Sequence, residues 1–157
     1  MVMQMDVLIV LGSKSDLEVA KSAAEVLKEM GVDYEIKVAS AHRTPDLVVE
    51  IVSKTKASII IAIAGLSAAL PGVVASHTLK PVIGVPVSGK INLDSVLSVV
   101  QMPPGIPVAA VGLDNGKNAA LLACEILALQ DRNLGARLKR YRQKMEQKVR
   151  LESKNIT

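Results

Sequence analysis

The sequence predicts an α/β fold: an open, parallel, five-stranded sheet with helices on both faces and an extra helix at the C-terminus. Three observations carry that expectation. Five short apolar runs recur along the 157 residues. They are nearly continuous rather than alternating, as strands buried on both faces are. Stretches of helical periodicity separate them, and parallel neighbours require such crossovers.

The first run, "DVLIVL" at 6 to 11, is the first predicted strand. The helical pattern at 16 to 30 places Leu17, Ala20, Ala24, Leu27 and Met30 on one face, and Gly31 ends it. "YEIKVA" at 34 to 39 is the second strand, followed by a helix at 45 to 55. Pro45 suits that helix's first turn, where its missing N–H costs nothing. "SIIIAIA" at 58 to 64 is the third strand, with a short helix near 71 to 77. Pro81 opens the fourth, "PVIGVPV" at 81 to 87, which precedes a helix at 93 to 101. "PVAAVGL" at 107 to 113 is the fifth, and a long helix runs from about 115 to 130. A last helical pattern, 134 to about 150, carries only the narrow stripe Leu134, Leu138, Tyr141 and Met145, which suits packing on a neighbour.

Half of the composition is apolar, enough at this length for one compact domain over 1–157 that buries its own core. The net charge of +4 is uneven: residues 132–157 hold nine Lys or Arg against Glu146 and Glu152, so the basic character belongs to a helical tail. With no Phe or Trp and only Tyr34 and Tyr141, the chain lacks the stacking platforms of a nucleic-acid surface, and no nucleic-acid partner is expected. No apolar run reaches a membrane span, and the start "MVMQMDVLIVLGS" lacks the features of a secretory signal. A cytoplasmic protein with no membrane partner is therefore expected. The single Cys124 lies in a helical pattern and reads as a buried thiol.

Ligands of open parallel sheets collect at the carboxyl ends of the strands, and every chemically suggestive stretch falls at such an end. In "GSKSD", 12 to 16, Gly12 permits a tight turn, Ser13 and Ser15 offer hydroxyls, and Asp16 can cap a helix or accept from a sugar hydroxyl. A phosphate site and a plain capped turn both fit. In "SAHRTP", 40 to 45, Arg43 can clamp a phosphate bidentately and His42 can exchange a proton near neutrality. An acid–base site with an anion anchor competes there with a surface histidine beside a salt-bridged arginine. In "AGLSAALPG", 64 to 72, the small residues let a flat ligand lie against backbone. Lys90 and Asp94, in "VSGKINLDS", read as solvated or capping. His77 has no metal-ligand partner at suitable spacing, and no metal site is expected.

Taken in order, "GSKSD", "SAHRTPD", "ALPG", "PVIGVPV", "LDSVLSVVQMPPGIPV" and "NAALLACEILAL" closely resemble the N5-carboxyaminoimidazole ribonucleotide mutases of de novo purine synthesis, over about residues 6 to 142. The resemblance implies a flavodoxin-like three-layer sandwich, a homo-octamer, and no metal, ATP or organic cofactor. It also implies a ribonucleotide substrate bound by Ser13, Ser15, Asp16, Ser40 and Arg43, with Arg43 and the serines toward phosphate and Asp16 toward ribose. Ala64, Gly65 and Ser67 of the third loop would complete the site. His42 matches the family's catalytic histidine, which shuttles a proton while a carbamate loses carbon dioxide and carbon 4 of the freed aminoimidazole takes it up.

The third loop departs from the bacterial pattern "AGAGGAAHLPG": Leu66 replaces glycine, Ser67 alanine and Ala69 the loop histidine. It looks more like "AGRSNAL" of the branch that carboxylates aminoimidazole ribonucleotide directly with carbon dioxide. The second loop, "SAHRTP", is unlike that branch's "SAHKGP". Direct carboxylation is thus the alternative route. A nucleotide-phosphate binding module without turnover and a structural module with a basic tail are the alternatives of other classes.

Overall fold

Strands β1 (Val7–Leu11), β3 (Ile59–Ala64) and β4 (Val82–Pro86) are buried at every position, as continuous apolar runs require in a sheet covered on both sides. They form the centre of a five-stranded parallel sheet of order β2-β1-β3-β4-β5 in a computed structural model that describes residues 5–156. The ends of the expected 1–157 domain, residues 1–4 and 157, lie outside the described residues. The strand order is the flavodoxin-like one.

Alternation along each strand divides the core into two layers. Val7, Ile9, Leu11, Ile61, Ile63, Ile83 and Val85 face α1 (Leu17–Glu29), α5 (Gly116–Ala128) and the start of α6 (Arg132–Lys154). Leu8, Val10, Ile60, Ala62 and Val82 face the other way, toward α2 (Pro45–Lys54), α3 (Leu70–Ser76) and α4 (Asn92–Val100). Each fully buried Leu or Ile side chain is worth about 1.5–3 kcal/mol of transfer free energy, which explains why the central strands tolerate so little polarity. Cys124 lies in the first layer, and burial pushes its thiol pKa up to about 11, the state of an inert packing group.

Three expectations need correction. Strand β2 (Tyr34–Val38) is an edge strand with only partial cover, so its Val38 is half-exposed and Tyr34 more than a third exposed. β5 contracts from the expected seven residues to Ala109–Ala110, paired only as Ile83↔Ala109 and Gly84↔Ala110. Pro103, Pro104 and Pro107 withhold backbone donors just before it. The last helix is longer than the apolar stripe suggested: it starts at Arg132, because Asp131 caps it by accepting from the Asn133 and Leu134 N–H groups at 2.8 and 3.1 Å. Leu134 and Leu138 enter the core, and Arg137 donates to the Met30 carbonyl at 2.8 Å, tying this helix to the end of α1. From Met145 onward its apolar residues are exposed.

Candidate functional site

Between β1 and β3 the winding of the sheet reverses, and the helices that follow these neighbours, α1 and α3, lie on opposite faces. The loops at their carboxyl ends therefore part, which is where ligands bind in such sheets. A cleft of about 450 Å³ opens there, lined by the loops after β1, β2 and β3. Every residue singled out from the sequence as a site candidate lines it: Ser13, Ser15 and Asp16 from the first loop, Ser40, His42 and Arg43 from the second, Ala64, Gly65 and Ser67 from the third.

The first loop is built by short-range hydrogen bonds. Gly12 N–H donates to the Ile63 carbonyl at 3.0 Å, drawing the first loop against the third strand. Ser13 Oγ accepts from Ser15 N–H at 3.4 Å, which starts a single 3-10 turn over Lys14–Asp16 before α1 begins. Asp16 stands at the N-cap position of α1 but makes no capping bond, contrary to one role open from sequence. Its carboxylate instead accepts from Ser15 Oγ at 3.2 Å.

Asp16 is buried, and this desolvation holds its pKa above the usual carboxylate range; Asp114 adds like-charge repulsion, against the lowering effect of Ser15 and the Ser13 backbone. A raised carboxyl keeps its proton to higher pH in the folded state than in the unfolded chain. Stability is therefore lost as pH rises through the raised value, and the deficit persists at neutral pH. Asp16→Asn should raise the thermal midpoint near pH 7, with the gain fading below pH ~4, where both states are protonated, while weakening ligand binding. Melting curves at the two pH values test this; a midpoint at pH 7 that does not rise contradicts it.

The second loop is a closed turn. Ser40 N–H donates to Thr44 Oγ1 at 2.9 Å, and Thr44 N–H donates back to the Ser40 carbonyl at 2.9 Å. Arg43 donates from its backbone N–H and its Nε to Ser40 Oγ, both at 3.2 Å, and from Nη2 to the Gly12 carbonyl at 3.0 Å. The guanidinium thus bridges the first two loops, and its remaining N–H groups are available to an anion. Ser40 Oγ, accepting twice from Arg43, keeps its own proton to donate. His42 is exposed in the turn, and among the described residues no hydrogen bond engages its ring. The imidazole is free to meet a reacting atom.

The third loop is strained. Leu66 and Ala68 hold φ values of 53° and 38°, the left-handed region, at a cost on the order of 1 kcal/mol for each non-glycine residue. Ala68 N–H donates to the Gly65 carbonyl at 2.9 Å and closes the turn. Glycine at the Leu66 position in the bacterial pattern is thereby explained by backbone geometry. Ser67 is exposed at the cleft, and Ala69 also lines it without a side-chain donor.

Sequence reasoning missed two supporting groups. Thr44 fastens the second loop, a role hinted at only by a hydroxyl residue preceding the helix-opening Pro45. Asp114 holds φ 56° after β5, accepts from Ser88 N–H at 2.9 Å and bears on the Asp16 carboxylate. The Asp–Asn pair following the fifth strand was its one signal. Asp94 is exposed, the solvated of its two expected roles, and α4 has no side-chain cap; Asn92 Oδ1 accepts from Gly89 N–H at 2.8 Å just ahead of it. Lys90 and Asp94 line a neighbouring groove, and His77 ends α3 at the surface.

The family model described as AIR carboxylase matches residues 6–148. The N5-carboxyaminoimidazole ribonucleotide mutase of Methanocaldococcus jannaschii is 63% identical over 142 residues, covering 90% of this chain and 90% of that protein. Its counterpart from Thermotoga maritima is 49% identical over 146 residues, covering 90% of this chain and 85% of that one. Among solved structures, the PurE of Treponema denticola superimposes with a TM-score of 0.88 at 33% identity, over 96% of this chain and 98% of that one.

Proposed function

The chain belongs to the AIR carboxylase family, and from that premise we propose that it interconverts N5-carboxyaminoimidazole ribonucleotide and 4-carboxy-5-aminoimidazole ribonucleotide in de novo purine biosynthesis. It is an enzyme of the mutase, or isomerase, type. The observation that carries this reading is the high identity to a named mutase across nearly the whole chain. The cleft chemistry supports it, because an acid–base imidazole, an arginine and four serine hydroxyls line one cavity.

In this reading the phosphate of the ribonucleotide takes the free N–H groups of Arg43 with the hydroxyls of Ser13, Ser15 and Ser40, and Asp16 accepts from the ribose. Ala64, Gly65 and Ser67 offer backbone and one hydroxyl to the base and its carboxylate. The carbamate C–N bond breaks, carbon dioxide departs, and the electron pair returns to nitrogen, which takes up a proton. Carbon 4 then bonds to the carbon dioxide and gives up its hydrogen as a proton. His42 carries that proton. Confinement supplies much of the rate, since a trapped reactant has a high effective concentration. No metal or organic cofactor enters this sequence of steps.

A homo-oligomer, in the family's octameric form, and a cytoplasmic location accompany the proposal. Support for assembly comes from α6: the stripe that buries Leu134 and Leu138 continues into Met145 and Val149, which are 55% and 63% exposed. A second copy would cover them.

Direct carboxylation stays in view because Ser67 and Ala69 follow that branch's loop. The two routes separate in one assay. The N5-carbamate, and in a parallel reaction aminoimidazole ribonucleotide with carbon dioxide or bicarbonate, are supplied at matched concentrations and turnover is compared. Faster turnover of the carbamate is the expected result. Turnover with carbon dioxide alone would make the protein a carboxylase, and turnover of neither would leave a binding module.

A further inference from the structure

Leu66 is a bulky apolar residue where the backbone favours glycine, with φ 53° and a side chain 83% exposed. It lines both the cleft and the adjoining groove of about 570 Å³, so it marks the boundary between them. Ile91 and Leu97, 65% and 40% exposed, line that groove with it and supply its other large apolar side chains. The arginine, the histidine and three of the four serines of the cleft sit on the first and second loops, while Ser67, Lys90, Asp94 and Ser98 share the groove with these apolar side chains. A strained residue that buries so little of itself within its own fold calls for a functional explanation.

Resting on the mutase reading, we infer that Leu66 is a positioning residue that retains carbon dioxide between its release from nitrogen and its capture by carbon 4. Carbon dioxide carries no charge and no net dipole, so Arg43 and the serines, which suit anions, hold it poorly. What delays its escape is a wall that offers water no hydrogen-bonding partner. Leu66 supplies that wall at the lip. If the molecule escapes, the reaction stops after its first half: carbamate plus a proton yields aminoimidazole ribonucleotide and free carbon dioxide, with the C–N electron pair left on nitrogen. Recarboxylation then draws on dissolved carbon dioxide instead of the original molecule.

Isotope exchange reads this directly. Unlabelled carbamate is converted by the full-length enzyme in a buffer of 13C-labelled carbon dioxide and bicarbonate, and label in the C4 carboxylate of the product is measured. Wild-type product should be mostly unlabelled. Leu66→Ala should raise the labelled fraction on the order of fivefold, while Leu66→Met, which keeps apolar bulk, should stay near wild type. Alanine is chosen over glycine because it leaves the left-handed backbone strain in place, so the change reports the side chain. Equal labelling in wild type and Leu66→Ala overturns the inference, and so does a rise in Leu66→Met as large as that in Leu66→Ala. Sedimentation of each variant should match wild type; a changed assembly in Leu66→Ala would make Leu66 a subunit contact and also overturn it. A wild-type enzyme that forms no product from carbamate fails at the mutase reading itself, an outcome distinct from exchange that is merely unaffected by the variant.

Discussion

Replacing His42 with asparagine is expected to lower kcat by at least ~100-fold while leaving the fold and ligand affinity close to wild type, the usual worth of a positioned acid–base group. The side chain is exposed in a turn held by Ser40, Arg43 and Thr44, and among the described residues no hydrogen bond to its ring is lost. Stability should therefore change little. Asparagine is similar in size and still donates and accepts hydrogen bonds, but it cannot take up the proton that leaves carbon 4. A loss confined to kcat thus separates proton transfer from binding. Steady-state turnover of the carbamate, together with calorimetric titration of the product onto the variant, makes the measurement. Near-normal kcat would remove His42 from the chemistry, and a loss of affinity equal to the loss of rate would make it a binding group instead.

The parts of this site differ in how far the sequence reveals them. A parallel sheet puts every loop that follows a strand at one end, so runs such as "SAHRTP" could be placed at that end from apolar patterning alone. Which loops then meet depends on strand order, and composition is silent on it; the flavodoxin-like order came from resemblance. β1, β3 and β4 were legible because burial on both faces demands uninterrupted Val, Ile, Leu and Ala. β2 differs in sequence, since Glu35 and Lys37 alternate with Tyr34, Ile36 and Val38, and that alternation fits its half-covered edge position better than burial on both faces. β5 failed because its length depends on prolines that precede it rather than on its own residues. The bridge from Arg43 to Gly12 spans 31 positions, and no local pattern announces a contact of that range. The positive φ of Leu66 was equally hidden, since leucine is the wrong residue to signal it.

Gly116→Ala should destabilise the protein, although alanine is ordinarily the better helix residue. Gly116 opens α5 where that helix crosses α1, and the two helices approach closely through Ala20, Ala23, Ala119, Ala120 and Ala123. A Cβ on residue 116 would overlap the Val19 carbonyl oxygen and lie 2.6 Å from Ser22 Oγ, itself donating to that carbonyl at 2.7 Å. Neither obstacle can swing aside, because one is backbone and the other is tied to it. The helical gain of alanine over glycine is about 0.5–1 kcal/mol, whereas overpacking against a fixed group costs about 1–3 kcal/mol. Overpacking wins, and a net loss of about 1 kcal/mol corresponds to a fall in Tm of roughly 2–4 °C for a chain of this size. Gly135→Ala is the matched control: its added Cβ would meet only Ala128 Cβ at 4.0 Å, so the helical gain should appear as a small rise in Tm. The consequence reaches the cleft, since α1 begins directly after Asp16 and any shift of α1 moves the first loop. Gly116→Ala should accordingly raise KM along with lowering Tm. Thermal melts of the two variants beside wild type, with carbamate kinetics below the melting range, test both effects. A Gly116→Ala protein as stable as Gly135→Ala would show that α1 and α5 can separate without cost and that their close crossing does not fix the first loop.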